Sequence, residues 1–386
     1  MIERKPAEVF PPGDFIKEEI EERGWSQIEL AEIMGCYPAD VSGLISGKRS
    51  ITPEIAKALG SAFGVSAQYW MNLESTYRLH KAGDADDAIA RRSRLYAYAP
   101  VREMVKRNWI EASENIDVLE HSIKRFFGVS DLLDEPISFA HAARRGKAEI
   151  TPAQRAWLHR ARQLAHAVHA EPFSNQSFAN GVRELRQLLP SAQGVRRVPK
   201  ILADAGIRFL VVESLPKAGI DGVTFWLDKR SPVVVLSLRY DRIDSFWFTL
   251  FHELAHVSRR DGLTSLVMID TDLVGDDALP NAEGDVAEIE ASRFATEHLV
   301  SQSEIDNFIA RVSPLYLKAR IINFATRIGV HPGIVVGQLQ HRNEISYSAH
   351  RQLLDKVRSI ITQSALTDGW GDAPYIQDEM QNRLAG

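Results

Sequence analysis

Cysteine is almost absent from this sequence: Cys36 is the only one among 386 residues. A single cysteine excludes an internal disulfide framework and favours a reducing compartment. No apolar run approaches the roughly 20 residues of a membrane-spanning helix, and residues 1–5 lack the apolar core of a signal peptide. We therefore expect a cytoplasmic protein that has no membrane partner.

A large excess of positive charge is also missing, because the formal net charge is −5 at pH 7. The charge is uneven along the chain: residues 1–80 and 201–386 are net acidic, and residues 81–200 are net basic. The composition, 45% hydrophobic and 25% charged, is ordinary for a globular protein. A chain of this length is expected to hold two or three domains.

The clearest chemical motif lies in residues 245–257, where the apolar residues recur at helical spacing. His252 and His256 are four residues apart, so on a helix both rings leave the same face, about 5–6 Å apart at Cβ. Two imidazoles at this separation can bind one Zn²⁺ ion. Glu253 follows the first histidine and can take a proton from a water molecule at the metal. The motif predicts a zinc site in which Glu253 is the catalytic base.

A catalytic zinc site needs a third protein ligand. The second helical pattern, over residues 285–299, supplies two candidates, Glu288 and, as the alternative, Glu290. We expect His252, His256 and Glu288 to be the metal ligands. The structural alternative is an ordinary helix that carries two histidines.

Two segments resemble the ImmA/IrrE-type metallopeptidase family. They are the run Phe248-Thr249-Leu250-Phe251-His252-Glu253-Leu254-Ala255-His256 and the pattern Glu288-x-x-Ala291-x-x-Phe294-Ala295. The family usually has a small amide or carboxylate residue where this chain has Ser292. The resemblance implies a zinc-dependent endopeptidase with a narrow protein substrate, often a repressor of the helix-turn-helix class.

Residues 10–80 predict five short helices. Ser26 and Glu29 have the spacing of a capping box at the start of the second helix, and a glycine-containing turn separates it from the third, predicted over residues 39–46. This arrangement is typical of a helix-turn-helix whose third helix enters the major groove of DNA. The residues expected to contact DNA are Ser26, Gln27, Asp40, Ser42, Lys48 and Arg49. The alternative is a helical bundle for dimerisation or partner binding, since this segment is net acidic.

The same segment resembles the HigA-type antitoxins of the Xre-like helix-turn-helix class. The resemblance lies in Pro12-Gly13, Gly24-Trp25-Ser26-Gln27-Ile28-Glu29-Leu30-Ala31, Ser46-Gly47-Lys48-Arg49, Ile51-Thr52-Pro53-Glu54-Ile55-Ala56 and Tyr69-Trp70-Met71-Asn72-Leu73-Glu74. It implies a homodimer that binds an inverted-repeat operator in double-stranded DNA, controls a promoter and neutralises a partner toxin.

The remaining segments complete the expected architecture. Residues 81–200 predict a helical connector, and its arginine runs, 91–94, 144–145 and 196–197, are either nucleic-acid contacts or solvated surfaces. Strand patterns occur at 207–212, 223–227 and 233–238, and the edge of such a sheet could bind an extended peptide.

We therefore predict an α+β fold that is mostly helical. Its expected parts are a helix-turn-helix domain (1–80), the connector (81–200), a metallopeptidase-like domain with a small sheet (201–345) and a helical or polar tail (346–386). The predicted function is a DNA-binding, antitoxin-like regulator with a zinc-dependent endopeptidase that cleaves a protein partner such as a repressor. The alternative is a non-enzymatic repressor whose zinc domain binds a partner or senses a signal.

Overall fold

The computed structural model describes residues 9–82, 87–132, 150–263, 268–271 and 286–371. The chain divides into two compact units, Met1–Ala90 and Arg91–Gly386. Within the described ranges, no helix combines the length and the apolar character that crossing a membrane requires. The α+β fold class with predominant helix is confirmed.

The first unit is a bundle of five helices, as predicted. They are α1 (Pro12–Arg23), α2 (Gln27–Met34), α3 (Pro38–Ile45), α4 (Pro53–Phe63) and α5 (Ala67–Ala82). Ser26 caps α2 and forms the predicted capping box with Glu29. The helices pack around a core that includes Leu30, Val41 and Trp70, all fully buried. The capping residues at the helix ends and this shared core thus determine the fold of the first unit.

The second unit contains a five-stranded sheet and most of the helices. The strands are β1 (Arg208–Val212), β2 (Ile220–Trp226), β3 (Pro232–Leu236), β4 (Met268–Thr271) and β5 (Leu366–Asp368). The helices before β1 are α6 (Asp87–Tyr98), α7 (Val101–Lys106), α8 (Ile116–Phe127), α9 (Pro152–Ala165), α10 (Asn175–Arg186) and α11 (Val198–Asp204). Those after β3 are α12 (Ile243–Arg259), α13 (Val286–Leu299), α14 (Gln302–Val312), α15 (Lys318–Ile328), α16 (Pro332–His341) and α17 (Arg358–Ile361). Short 3₁₀ helices cover Ala192–Arg197 and Arg351–Leu353.

The strand order is β4-β2-β3-β1-β5. The hairpin β2–β3 is antiparallel, with Val223 opposite Val235, and β1 runs parallel to both β3 and β5. The antiparallel pairing of β2 with β4 contains an irregularity between Ile220 and Gly222. The sheet is therefore mixed, and β1, β2 and β3 overlap the three predicted strand segments.

Both faces of the sheet are covered by helices. Alternate residues of a strand point to opposite faces, so Phe209 and Val211 of β1 belong to the core formed with α10 to α17. Leu210 and Val212 belong to the core formed with α6 to α9. This two-sided burial explains the almost continuous apolar runs of β1 and β3. The unit therefore has three layers, helix, sheet and helix.

A buried polar cluster attaches β5 to the helical layer formed by α6 to α9. The Arg160 guanidinium and the Trp109 indole N–H both donate hydrogen bonds to the carboxylate of Asp368, which is 1% exposed. A buried charge requires such partners. The cluster thus fixes the last strand of the sheet to α9 and to the turn after α7.

Helix α12, which carries His252, Glu253 and His256, begins slightly earlier than the apolar pattern of residues 245–257 indicates. Asp244 directly precedes the apolar pattern of residues 245–257, a position that predicts an N-cap, but the N-cap is Arg242, and Asp244 lies within the first turn of α12. The Asp244 carboxylate accepts hydrogen bonds from the Arg242 guanidinium at 2.6 and 3.1 Å. The Asp244 side chain is therefore held by Arg242 and does not cap the helix.

Candidate metal centre and nucleic-acid interface

His252 and His256 leave the same face of α12, as their spacing requires, and both are fully buried. Their Nε2 atoms are 3.2 Å apart. Glu288 of α13 lies opposite them, with Oε2 at 3.1 Å from Nε2 of His252 and Oε1 at 3.7 Å from Nε2 of His256. The candidate ligand atoms of the three residues all lie within 4.8 Å of one another. The structure thus brings together the three residues that were predicted to bind the metal.

The other ring nitrogen of each histidine contacts a polar side chain. Nδ1 of His256 lies 3.0 Å from Oδ2 of Asp261, and Nδ1 of His252 lies 3.3 Å from the Ser292 hydroxyl. Such outer contacts orient metal-binding imidazoles and select their tautomer. The sequence pattern did not identify Asp261 as a contact of His256, although it follows His256 by only five residues. Ser292 makes the contact at the position where the family usually has an amide or carboxylate.

The donor set fits a divalent cation such as zinc. Asp261 can only accept a hydrogen bond while ionised, so it places the proton of a neutral His256 ring on Nδ1 and leaves the lone pair on Nε2. Burial raises the pKa of Glu288, but its hydrogen bonds with His252 and His256 outweigh burial and hold this pKa well below its usual range. Two imidazole nitrogens and an ionised carboxylate are ligands that Zn²⁺ prefers.

Glu290, the alternative third ligand, is not part of this cluster. Its exposed carboxylate forms an ion pair with Arg259 at the end of α12. Arg259 also donates a hydrogen bond to Asp261 at 3.2 Å. Glu290 therefore contributes to an ionic link between α12 and α13, whereas Glu288 faces the histidines.

Glu253 is fully buried, and its side chain faces β2. Its Oε2 accepts a hydrogen bond of 2.7 Å from the Thr224 hydroxyl. A Cβ atom added to Gly222 would lie 2.1 Å from Oε1 of Glu253, so only glycine leaves room for the carboxylate there. Neither strand residue was identified from the sequence, because both contacts join segments about 30 residues apart.

The residues predicted to contact DNA lie at the start of α2, on α3 and in the turn that follows α3. The Ser26 hydroxyl accepts a hydrogen bond from the backbone N–H of Glu29 at 3.2 Å, and Gln27 beside it is exposed. Asp40 in the first turn of α3 forms an ion pair with Arg49. Its other carboxylate oxygen accepts a hydrogen bond from the Tyr37 N–H at 3.4 Å. The pairing of Asp40 with Arg49 was not foreseen.

Ser42 and Lys48 are exposed, as a role at a nucleic-acid surface would require. Tyr37, immediately before α3, is 78% exposed. An aromatic ring that is so accessible beside α3 is available for contact with a partner molecule. Tyr37 was not among the residues expected to contact DNA.

The arginines at the start of the predicted connector have protein partners. Arg91 forms ion pairs with Asp117 and Glu120, both at 2.7 Å. Arg92 donates a hydrogen bond to the backbone carbonyl of Glu114 at 2.6 Å. These contacts give both side chains a structural role in the second unit. Residues 144–145 lie outside the described residues.

Comparison with known protein families agrees with both resemblances. Residues 16–70 match the family described as "Helix-turn-helix", and residues 204–339 match the family described as "IrrE N-terminal-like domain". The chain belongs to the helix-turn-helix family through its N-terminal unit, and it carries an IrrE-like domain of the M78 peptidase family in its second unit.

Two curated relatives match about a fifth of the chain. One is the uncharacterised HTH-type transcriptional regulator YddM of Escherichia coli (strain K12), 38% identical over 84 residues, which are 22% of this chain and 88% of that protein. The other is the virulence-associated protein I of Dichelobacter nodosus, 32% identical over 79 residues, which are 20% of this chain and 73% of that protein.

Among solved structures, the chain is similar to the Pseudomonas aeruginosa antitoxin HigA with the higBA promoter. The identity is 33%, the match covers 19% of this chain and 83% of the antitoxin chain, and the TM-score is 0.19. A second Pseudomonas aeruginosa protein, in complex with its operator DNA, is 32% identical over 21% of this chain and 88% of that chain, with a TM-score of 0.20.

Proposed function

We propose that this protein is a DNA-binding regulator whose second unit is a zinc-dependent endopeptidase that cleaves a specific protein partner, such as a repressor. The observation that carries the proposal is the convergence of His252, His256 and Glu288, with the buried Glu253 next to His252 in the sequence. A site that only binds zinc for stability normally uses four protein ligands. Three ligands and an adjacent carboxylate suit hydrolysis better.

Each residue has a distinct task in this proposal. His252, His256 and Glu288 would hold the zinc, while Asp261 and Ser292 would keep the two rings in orientation. Zinc in this position would polarise the scissile carbonyl and make a nearby water molecule more acidic. Glu253 would accept a proton from the attacking water and pass it to the nitrogen of the leaving amine. The Thr224 hydroxyl would hold the Glu253 carboxylate in place for both transfers.

The first unit would bind an inverted-repeat operator as a homodimer. The support is the helix-turn-helix match, the exposed Ser42 and Lys48, and the relative named as a transcriptional regulator. Exposed Lys48 suits a phosphate contact, which adds affinity without sequence preference, whereas Ser42 on α3 suits a contact with bases. Substitution of Ser42 would then change the preferred sequence.

A second candidate function is a non-enzymatic, antitoxin-like repressor whose zinc domain binds a toxin or senses a signal. The hydrogen bond from Thr224 to Glu253 favours it, because a buried carboxylate held by a hydroxyl can serve structure alone. The two candidates differ in whether a proton acceptor at Glu253 is needed.

The substitution Glu253→Gln tests this difference. The amide keeps the shape of the side chain and a hydrogen bond to Thr224, but it cannot act as a base. We expect zinc content and promoter binding to be retained, while cleavage of the protein partner, a repressor or a toxin, falls by roughly 10² or more. His252→Ala is the comparison variant, since it should lose zinc and cleavage together.

The outcome of this test decides between the two candidate functions of the second unit. Cleavage at the same rate by the wild type and by Glu253→Gln would refute the mechanism. Promoter control in both proteins without cleavage in either would establish the non-enzymatic regulator.

A further inference from the structure

Three basic side chains lie within electrostatic range at one end of the sheet in the second unit. The Trp157 indole N–H of α9 donates a hydrogen bond of 3.1 Å to the carbonyl oxygen of Val212, the last residue of β1. The end of α9 lies near the start of β1, because the charge of Arg208 acts on His166, the residue that follows the helix. Arg162 lies one helical turn before His166. We refer to Arg162, His166 and Arg208 as the basic cluster.

The two arginines of the basic cluster influence its histidine. Partial burial lowers the pKa of His166, and the positive charges of Arg162 and Arg208 lower it further. The ring is therefore neutral at pH 7, since an unperturbed histidine titrates near pH 6.5. A neutral imidazole still donates one N–H. The cluster thus offers two guanidinium groups and one neutral donor.

Arg162 and Arg208 have no carboxylate partner among the described residues. Neither side chain forms an ion pair or a side-chain hydrogen bond there, although both are partly buried. Burial lowers the pKa of Arg162. Arg160 of the same helix, in contrast, pairs with the buried carboxylate of Asp368. A guanidinium that loses hydration normally has such a partner, so the surroundings of Arg162 favour a bound anion.

One carboxylate, that of Asp228, influences the basic cluster without pairing with it. The hydrogen bond from the Arg230 N–H, 2.8 Å long, lowers the pKa of Asp228, and the Ser231 hydroxyl and the charge of Arg208 lower it further. Asp228 is exposed in the turn between β2 and β3. Its charge therefore acts on Arg208 through solvent, and an external anion would be repelled by it.

The donors of the basic cluster match a phosphate group. The planar fork of a guanidinium binds two phosphate oxygens, and the imidazole N–H can bind a third. A nucleic-acid backbone would need a series of such contacts along a basic surface. Here the exposed Asp228 and Glu171, the latter five residues after His166, add negative charge instead. A single phosphate group therefore fits this surface better than a nucleic-acid strand.

We propose that the basic cluster is a binding site for one phosphate group, either inorganic phosphate or the phosphate of a small organic molecule. Bound phosphate would supply the counter-charge for Arg162 and stabilise the folded second unit. Helices α9 and α12 pack on opposite faces of the sheet, so this site is separate from the metal cluster. The proposal holds whether or not the second unit cleaves a peptide.

The test is a titration of the full-length protein with inorganic phosphate at constant ionic strength, followed by NMR of isotope-labelled histidine rings. The His166 resonance, identified by its loss in His166→Gln, should shift and saturate. The expected Kd is of the order of 1 mM, an affinity that two or three charge-assisted hydrogen bonds support. The absence of a saturable shift of this resonance would overturn the proposal.

Adenosine monophosphate and adenosine distinguish the two sources of the phosphate group. Adenosine should leave the His166 resonance unchanged. Tighter binding of the monophosphate than of inorganic phosphate would support the site with an organic phosphate as its ligand, and equal binding would support recognition of the phosphate alone. A shift caused by a DNA duplex, but by neither phosphate compound, would refute the proposal and indicate a nucleic-acid contact.

Substitutions in and around the basic cluster locate the binding. Arg162→Gln and Arg208→Gln should each weaken phosphate binding at least about tenfold, and Arg162→Lys should weaken it less because the charge remains. Asp228→Asn should strengthen binding several-fold, since it removes a repelling charge. The matched control is Arg327→Gln, at an exposed arginine that pairs with Glu304. An equal loss in this control would show a general effect of charge and refute the site.

Urea unfolding gives a second measurement that does not depend on the His166 resonance. Phosphate stabilises proteins without specific binding as well, so the decisive quantity is the difference between two proteins. Added phosphate should raise the unfolding midpoint of the wild type more than that of Arg162→Gln. Equal increases in the two midpoints would contradict a phosphate site at Arg162.

Discussion

The Nδ1 atom of His256 lies 3.0 Å from the Oδ2 atom of Asp261. Arg259 contacts the same carboxylate oxygen at 3.2 Å and also pairs with Glu290 of α13. One guanidinium therefore connects the residue that orients His256 to the helix that carries Glu288. Side chains outside the cluster thus hold the candidate metal ligands of α12 and α13 in register.

We predict that Asp261→Ala weakens zinc binding by about 10- to 100-fold, because the His256 ring loses the acceptor that fixes its orientation. Asp261→Asn should have a smaller effect, since the amide oxygen can still accept the hydrogen bond. Zinc affinity can be measured by competition with a chromophoric chelator. The matched control is Glu304→Gln, which removes the exposed ion pair between Glu304 and Arg327. Equal zinc affinities in Asp261→Ala and the control would contradict the prediction.

Thr224→Val should destabilise the second unit by about 1–3 kcal/mol, because it removes the hydroxyl that donates to the buried Glu253 carboxylate. Valine preserves the shape of threonine, so the change reports on the hydrogen bond. Urea unfolding would measure the loss. Thr326→Val, at an exposed helical threonine, should change stability by no more than about 0.5 kcal/mol. A result in which both variants have the same unfolding midpoint would disagree with this role of Thr224.

From the ion pair between Asp40 and Arg49 we predict how two substitutions change the affinity for DNA. Asp40→Asn releases Arg49 and removes a negative charge, so affinity should rise on operator and scrambled duplexes alike. Arg49→Ala should weaken binding to both and reduce the slope of log affinity against log salt by about 1. Fluorescence anisotropy over a salt series would measure both effects.

The control for Asp40 is Glu54→Gln, which removes an exposed acidic charge from α4. If Asp40→Asn weakens binding to the operator alone, Asp40 instead contacts a base directly. The two outcomes thus distinguish an electrostatic role from a role in sequence recognition.

His159 of α9 makes the stability of the second unit depend on pH. Burial lowers its pKa to about 4, with a smaller contribution from Arg162 and Arg160 and an opposing one from a hydrogen bond with the Phe126 backbone. The pKa of an unfolded histidine is about 6.5, so the unfolded chain binds the proton more readily. Stability that is present above about pH 6.5 is therefore lost as the pH falls towards 4.

His159→Phe should flatten this dependence, since a phenyl ring can pack against Phe126 and Phe127, whose centroids lie 5.2 and 5.3 Å from the imidazole. The difference in the free energy of unfolding between the wild type and the variant should change by up to about 3 kcal/mol between pH 7.5 and pH 4. Chemical denaturation at several pH values would measure it. A constant difference across this range would show that His159 does not titrate with unfolding.

The sequence predicted the features that local spacing determines. The five helices of the first unit, the capping box at Ser26 and the positions of His252 and His256 on one helix face follow from periods of three and four residues. Glu288 and Glu290 were left as alternatives because both occur on one helix. They differ in their positions in space, where Glu288 contacts the two histidines and Glu290 pairs with Arg259.

Contacts between distant segments could not be predicted in this way. β5 has three residues and pairs with β1 about 150 positions earlier, so no local pattern marks it as a strand. Thr224 and Glu253 meet only after α12 packs on β2. The apolar run in β3 did carry a further signal, because a strand without polar alternation is usually covered on both faces. The domain boundaries predicted within the second unit remain predictions.

Because helices cover both faces of the sheet, transfer of the matched segment alone to another gene would expose apolar surface. A recombination event that moved only residues 204–339 would leave behind α9, which covers Leu210 and Val212, and β5, which pairs with β1. The transferred piece would carry a bare apolar surface and an open strand edge, both of which promote aggregation. A segment that keeps this sheet covered and paired therefore extends beyond the matched residues on both sides, from the layer of α6 to α9 through β5.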